Sequence, residues 1–162
     1  PGVTPTMNTR RFAVRCATSE TVRVLSRSMK FDLVDAILEQ TPDRIVVTKQ
    51  VSLAEEYLAD HFPTFPVLPG VMMLEVMAQA ARRLLAENGG ERFVLGNVRA
   101  LKYGAMVRPG EALRVEVTWS KENDDGSAAF RGVGRVIGEK GKVDDSGETA
   151  VSGRFTMRPV RS

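Results

Sequence analysis

His61, the only histidine of the chain, lies fourteen residues before Glu75, a carboxylate set in an otherwise apolar run. An imidazole exchanges its proton near neutral pH and so suits a general base. An ionised carboxylate is costly among apolar side chains, so Glu75 is expected to hold its proton more tightly than usual and to serve as a general acid. Its bland alternatives are to snorkel to solvent or to pair with an arginine such as Arg82 of a neighbour, just as a lone histidine after Asp60 is ordinarily a loop residue. Between the two stands Gly70, where a helix pattern starts; its backbone N–H lies at the positive end of the helix dipole, with no Cβ to block a ligand oxygen. A base to take an α-proton, an N–H to hold enolate charge and an acid to protonate a departing hydroxyl suit elimination of water from a 3-hydroxyacyl thioester.

Those groups need positioning elements. Pro63, Pro66 and Pro69 favour an extended path from His61 to the helix, and Phe62, Phe65, Val67 and Leu68 point to burial of that path rather than to an exposed polyproline ligand. Good helix formers run from Gly70 to about Glu87, with Asn88-Gly89-Gly90 as the stop. The first three turns are apolar nearly all round, which predicts a helix wrapped by protein on most sides. Met72, Met73 and Met77 suit either an apolar tunnel or ordinary core packing.

Around this helix the pattern has period two or is β-branched: Arg44 to Val51 after the turn Thr41-Pro42-Asp43, then Phe93 to Lys102, Ala112 to Ser120, Ala128 to Gly138 and Glu148 to Met157. Leu113, Val115, Val117 and Trp119 alternate with polar residues, as in an antiparallel strand wet on one face. Phe31 to Leu38 suits a strand or a short helix equally. One buried helix and five or six strands predict an α+β domain, a sheet curled around a helix. Gly132, Gly134 and Gly138 mimic a dinucleotide fingerprint, but with the wrong spacing and no following helix; they read as places where a strand bends or the helix comes close.

Composition excludes several classes. The chain has 162 residues, 43% hydrophobic and 27% charged, one domain's worth, with no apolar run long enough to span a membrane. Its net charge of +3 is uneven: residues 1 to 30 carry Arg10, Arg11, Arg15, Arg23, Arg27 and Lys30 against Glu20 alone, and the remainder is slightly acidic. That balance argues against nucleic-acid binding. One cysteine, Cys16, and one histidine supply neither a disulfide nor a usual metal set, and no cofactor is expected. Residues 1–28 read as a leader, with a short helix over Glu20 to Leu25; they suit an organelle transit segment, a disordered tail, or residues upstream of a start at Met29. Residues 29–162 read as the domain, in a cytoplasmic protein unless the leader targets an organelle.

The run HFPxxPxxPGVxxxExxAQ, His61 to Gln79, resembles the signature of FabZ-type 3-hydroxyacyl-[acyl-carrier-protein] dehydratases. Phe31-Asp32-Leu33-Val34-Asp35 is similar to the family's FLLVD, and Lys102-Tyr103 with Val107 to Glu111 to its KFRRPVVPGD. The resemblance implies a hot-dog fold and a homodimer with sites at the interface, His61 of one subunit facing Glu75 of the other, and in some members a trimer of dimers. It also implies His61 as base, Glu75 as acid, Gly70, Gln79 and Phe62 against the substrate, and acyl carrier protein as the partner bearing it. Thr64 and Phe65, and Gly104, Ala105 and Met106, depart from the pattern. Two other readings keep the fold: a thioesterase in which Glu75 activates water, and a non-catalytic module that binds an acyl chain.

Overall fold

The computed structural model describes residues 31–62, 64–89, 92–138 and 147–160. The leader, with Cys16 and the short helix expected over Glu20 to Leu25, lies outside them, as does Pro63. The elements in chain order are β1 (Ala36–Gln40), β2 (Arg44–Gln50), α1 (Glu56–Asp60), α2 (Gly70–Glu87), β3 (Phe93–Tyr103), β4 (Ala112–Glu122), β5 (Ala128–Ile137) and β6 (Thr149–Pro159). The strands form one antiparallel sheet in the order β1-β2-β4-β5-β6-β3.

This is the expected sheet around a helix. α2 lays Met73, Val76, Met77, Ala80, Ala81, Leu84 and Leu85 against Ile45, Val47, Leu113, Val115, Val117, Phe130, Val151 and Phe155, all buried. Each large apolar side chain so covered contributes roughly 1.5–3 kcal/mol, and this outweighs the weak strand propensities around it. The helix stops where the sequence says it should. The Asn88 side chain donates to the Leu84 carbonyl at 3.0 Å, and Gly89, at φ +76°, adopts the left-handed conformation that closes a helix C-terminus.

Gly132 marks the close approach of helix and sheet. A Cβ there would fall 2.7 Å from the Met77 sulfur, so glycine lets α2 approach β5 closely without displacing that side chain. Met73 and Met77 are thereby core residues, while Met72 is half-buried. Gly132 and Gly134 lie inside β5 rather than in a loop that leads into a helix, which disposes of the dinucleotide fingerprint.

The ambiguous Phe31 to Leu38 stretch resolves into an extended lead-in and a strand. Pairing with β2 decides it, and only Leu33 and Val34 of its apolar residues are buried. The two edges of the sheet are β1 and β3. β3 carries two register irregularities against β6, and at the second Ala100 stands at φ +51°. Bulges of this kind twist an edge strand.

Candidate active site

Local sequence explains why His61 is where it is. α1 has only five residues, far below the length at which a helix persists alone, and no side chain caps its start. Tertiary contacts hold it: Leu58 is buried, the Tyr57 ring meets Phe31 edge-on at 6.5 Å, and Glu55, just before the helix, bonds the Lys49 ammonium at 2.5 Å. Lys49 is 5% exposed and has Asp35 at 3.7 Å as a second counter-charge. Burial, with the Glu55 and Asp35 carboxylates nearby, pushes the Tyr57 phenol well up, so it stays neutral. Removing one partner of such a buried pair strands the other charge. Lys49→Met is expected to lower the unfolding free energy by about 3 kcal/mol in urea titration.

His61 ends α1, with its ring centroid 4.5 Å from that of Phe62. Phe62 stands at φ +52°, a conformation costly for a side chain with a Cβ, and its carbonyl accepts the Phe65 N–H at 2.8 Å. Two expectations are corrected here. The path from His61 to the helix is not extended throughout, because it turns at Phe62 to Phe65. Nor are Phe62 and Phe65 buried: the turn throws them outward, 60% and 45% exposed, while Val67 and Leu68 are buried as expected. Phe65 lies under the Arg108 guanidinium, 4.9 Å from the ring centroid, and the Leu68 N–H bonds the Val107 carbonyl at 2.8 Å. The 62–70 and 103–108 segments therefore form one surface.

Gly70 opens α2 behind Pro69, which stands at φ −59° and ψ 140° and provides no side-chain cap. Its N–H has no acceptor within the helix and points from the positive end of the dipole. The absence of a Cβ has a second reason, which the sequence did not disclose. The Tyr103 ring, at the end of β3, lies where that Cβ would be, its atoms 2.7–3.2 Å from the ideal position. Burial raises the Tyr103 phenol, so the ring beside the helix start remains neutral. Gly104 is equally constrained, since a Cβ there would fall 2.4 Å from the Thr149 carbonyl oxygen. The arginine that the resembling family carries at that position does not fit this backbone.

Glu75 is less enclosed than the apolar pattern predicts. The first turns of α2 are wrapped on the sheet side only: Val71 is 70% exposed, and Met72, Leu74 and Glu75 are half-buried. Arg82, anticipated from a neighbouring molecule, instead comes from two turns along the same helix and donates to Glu75 Oε1 at 2.9 Å. Gln79 Nε2 donates to the same oxygen at 3.2 Å. Gln79 is itself 1% exposed and spans two elements: its Oε1 accepts the Leu33 N–H at 2.8 Å and its Nε2 also donates to the Phe31 carbonyl at 3.1 Å. It fastens the lead-in segment to the helix while touching Glu75. The next arginine is committed elsewhere, Arg83 bonding Asp32. Burial tends to raise that carboxyl, but the Arg83 bond and charge, with the Val34 N–H, outweigh it and hold Asp32 below the usual range.

His61 and Glu75 are not bonded to each other within one chain, and neither lines the groove of about 510 Å³ that opens beside Gly104, Met106, Arg108, Glu111 and Glu148. Phe62, Phe65, Val71, Tyr103 and Met106, on the segments that carry His61 and Gly70 or pack against them, are exposed apolar side chains. Among the described residues no helix is long and apolar enough to cross a membrane.

A family model described as ApeI-like, ApeI dehydratase, matches residues 38–140, which include His61, Gly70, Glu75 and Gln79. The chain belongs to this dehydratase family. It is 35% identical over 128 residues to the 3-hydroxyacyl-[acyl-carrier-protein] dehydratase FabZ of Streptococcus pneumoniae (strain Hungary19A-6), covering 77% of this chain and 84% of that one. It is 39% identical over 95 residues to FabZ of Lactobacillus helveticus (strain DPC 4571), covering 56% of this chain and spanning 64% of that relative's length. The dehydratase heterocomplex ApeI:P from Xenorhabdus doucetiae superposes with a TM-score of 0.60 over 81% of this chain and 84% of that one, at 18% identity. Such a likeness establishes the hot-dog fold of this dehydratase.

Proposed function

We propose that this dehydratase reversibly eliminates water from 3-hydroxyacyl thioesters borne by acyl carrier protein, giving trans-2-enoyl thioesters for fatty-acid or related acyl-chain synthesis in the cytoplasm. The observation that carries the reading is the disposition of the signature run. Gly70 presents the free N–H of a buried helix, Glu75 lies in the second turn of that helix on its open face, and His61 sits on a separate turn held by α1. The thioester carbonyl oxygen accepts the Gly70 N–H, and His61 takes the proton from C2. The electron pair of that C–H bond forms the C2–C3 double bond as the C3–O bond breaks, and the hydroxyl leaves as water with the proton of Glu75. Proton return from the imidazolium to the Glu75 carboxylate resets the site, with no cofactor.

The two residues are supplied by different copies of the chain. In one copy the apolar surface of Phe62, Phe65, Val71, Tyr103 and Met106 is open, and beside it lie the N-terminal turns of α2 and the sheet edge at β3. A second copy laid symmetrically on that surface covers the apolar face and brings the His61 turn of each to the Glu75 face of the other, so that each dimer has two sites. Phe62, whose ring rests on His61, then borders the bound acyl chain, and Gln79 keeps Glu75 in place.

Mixing the protein with 3-hydroxybutyryl pantetheine, free or on acyl carrier protein, is expected to raise the ultraviolet absorbance of the conjugated enoyl thioester. One observation favours a second reading. The Arg82 guanidinium pairs with Glu75, and a paired carboxylate is equipped to activate water for thioester hydrolysis. Release of free thiol without enoyl absorbance would establish that reaction instead.

A further inference from the structure

From the geometry at Oε1 we infer that Arg82 is a positioning residue for the acid, holding Glu75 by one carboxyl oxygen and dedicating the other to the substrate. The inference rests on Glu75 being the acid of the reaction proposed above, and it adds a residue to that site.

Among the described residues Glu75 accepts two side-chain hydrogen bonds, both on Oε1, from Arg82 Nη1 at 2.9 Å and from Gln79 Nε2 at 3.2 Å. Positions 75, 79 and 82 lie on one face of α2, one turn and two turns apart, so the three side chains stack along the helix. Gln79 is immobilised by its bonds to Leu33 and Phe31, whereas Arg82 has about a quarter of its side chain exposed and, among the described residues, bonds Glu75 alone. A carboxyl group held at one oxygen by two donors cannot rotate about its last torsion without breaking both. Oε2 is therefore the oxygen left to face the substrate.

The guanidinium also contributes at the moment of transfer. As Glu75 gives its proton to the leaving hydroxyl it becomes a carboxylate, and a fixed positive charge 2.9 Å from Oε1 stabilises the negative charge as it forms. Lysine at position 82 preserves the charge but not the planar fork; methionine preserves only the stem.

Four variants test this against the parent with 3-hydroxybutyryl pantetheine: Arg82→Lys, Arg82→Met, Glu75→Gln, and Glu75→Gln with Arg82→Met. Arg82→Met is expected to lower kcat by about 10- to 100-fold with KM held within about twofold, because orientation and charge at the acid act on the transition state rather than on binding. Arg82→Lys is expected to recover most of that loss. In the Glu75→Gln background Arg82→Met costs nothing further, since the residue acts only through Glu75. Arg82 is part exposed on a helix surface, so the melting temperature of each variant stays close to the parent's. A parental kcat in Arg82→Met, or an equal loss from it in the Glu75→Gln background, overturns the inference while leaving the dehydratase reading intact. A parent that releases thiol and forms no enoyl thioester overturns that reading, and the inference that rests on it falls with it. A parent that does neither overturns both.

Discussion

His61→Ala and Glu75→Gln are each expected to lower turnover by at least about a hundredfold, the usual contribution of a positioned acid or base. A mixture of the two, co-expressed with different tags, is expected to regain about a quarter of parental activity. The arithmetic follows from an isologous dimer whose sites straddle the interface. Random assortment makes half the dimers mixed. In each mixed dimer one site pairs the intact His61 of one copy with the intact Glu75 of the other, while the second site has neither. If both residues served one site within a single chain, every site in the mixed dimer would lack one of them and the mixture would stay inactive. Purifying the doubly tagged species and measuring enoyl formation distinguishes the two arrangements. The structure of one copy motivates the experiment, because His61 and Glu75 are not bonded to each other there while Phe62 and Val71, neighbours of His61 and Gly70, are exposed apolar side chains.

The second large effect is on stability. Gln79→Leu keeps the volume of a side chain that is 1% exposed but removes the partners of the Leu33 N–H and the Phe31 carbonyl. A buried backbone group left without a partner costs roughly 1–3 kcal/mol, so the variant is expected to lose about 3 kcal/mol in all. For a domain of this size that is a fall of about 8 °C in melting temperature. Kinetics should change as well, since Glu75 loses one of its two donors. Denaturant unfolding gives the first quantity and kcat the second. A variant within about 1 kcal/mol of the parent would mean that Gln79 does not hold the lead-in segment to the helix, and would sink this account of it.

The reach of sequence reasoning followed the range of the interactions. α2 was legible from Gly70 to Glu87, because helix propensity, an apolar pattern and a glycine stop are local signals. β4 was legible for the same reason, its inward side chains alternating with period two. α1 was not, since five residues have no helical preference of their own and depend on Lys49, which lies on β2. Phe62 and Phe65 are exposed in a single copy although their type predicts burial, because hydrophobicity says that a side chain seeks cover without saying where the cover is. Phe62, at positive φ, starts a local turn closed by the Phe65 N–H on its carbonyl, and both rings are exposed there.

The sequence by itself determined the chemistry on offer: one imidazole, one carboxyl group in an apolar helix and one glycine N–H, at fixed separations in a segment whose pattern identifies its family. These are properties of residue types and spacing, and they survive any folding of the rest. Only the tertiary structure decided how those groups are held. It put the Tyr103 ring against Gly70, closed the Glu75 carboxyl onto Arg82 and Gln79, tied α1 to Lys49, and left Phe62, Phe65 and Val71 exposed. Two of these contacts join residues from separate elements, and the two made by Glu75 lie within α2, where helical spacing puts Gln79 and Arg82 on its face but does not say which oxygen they bond. Such distances are set by chain packing and side-chain direction, which spacing along the sequence does not encode.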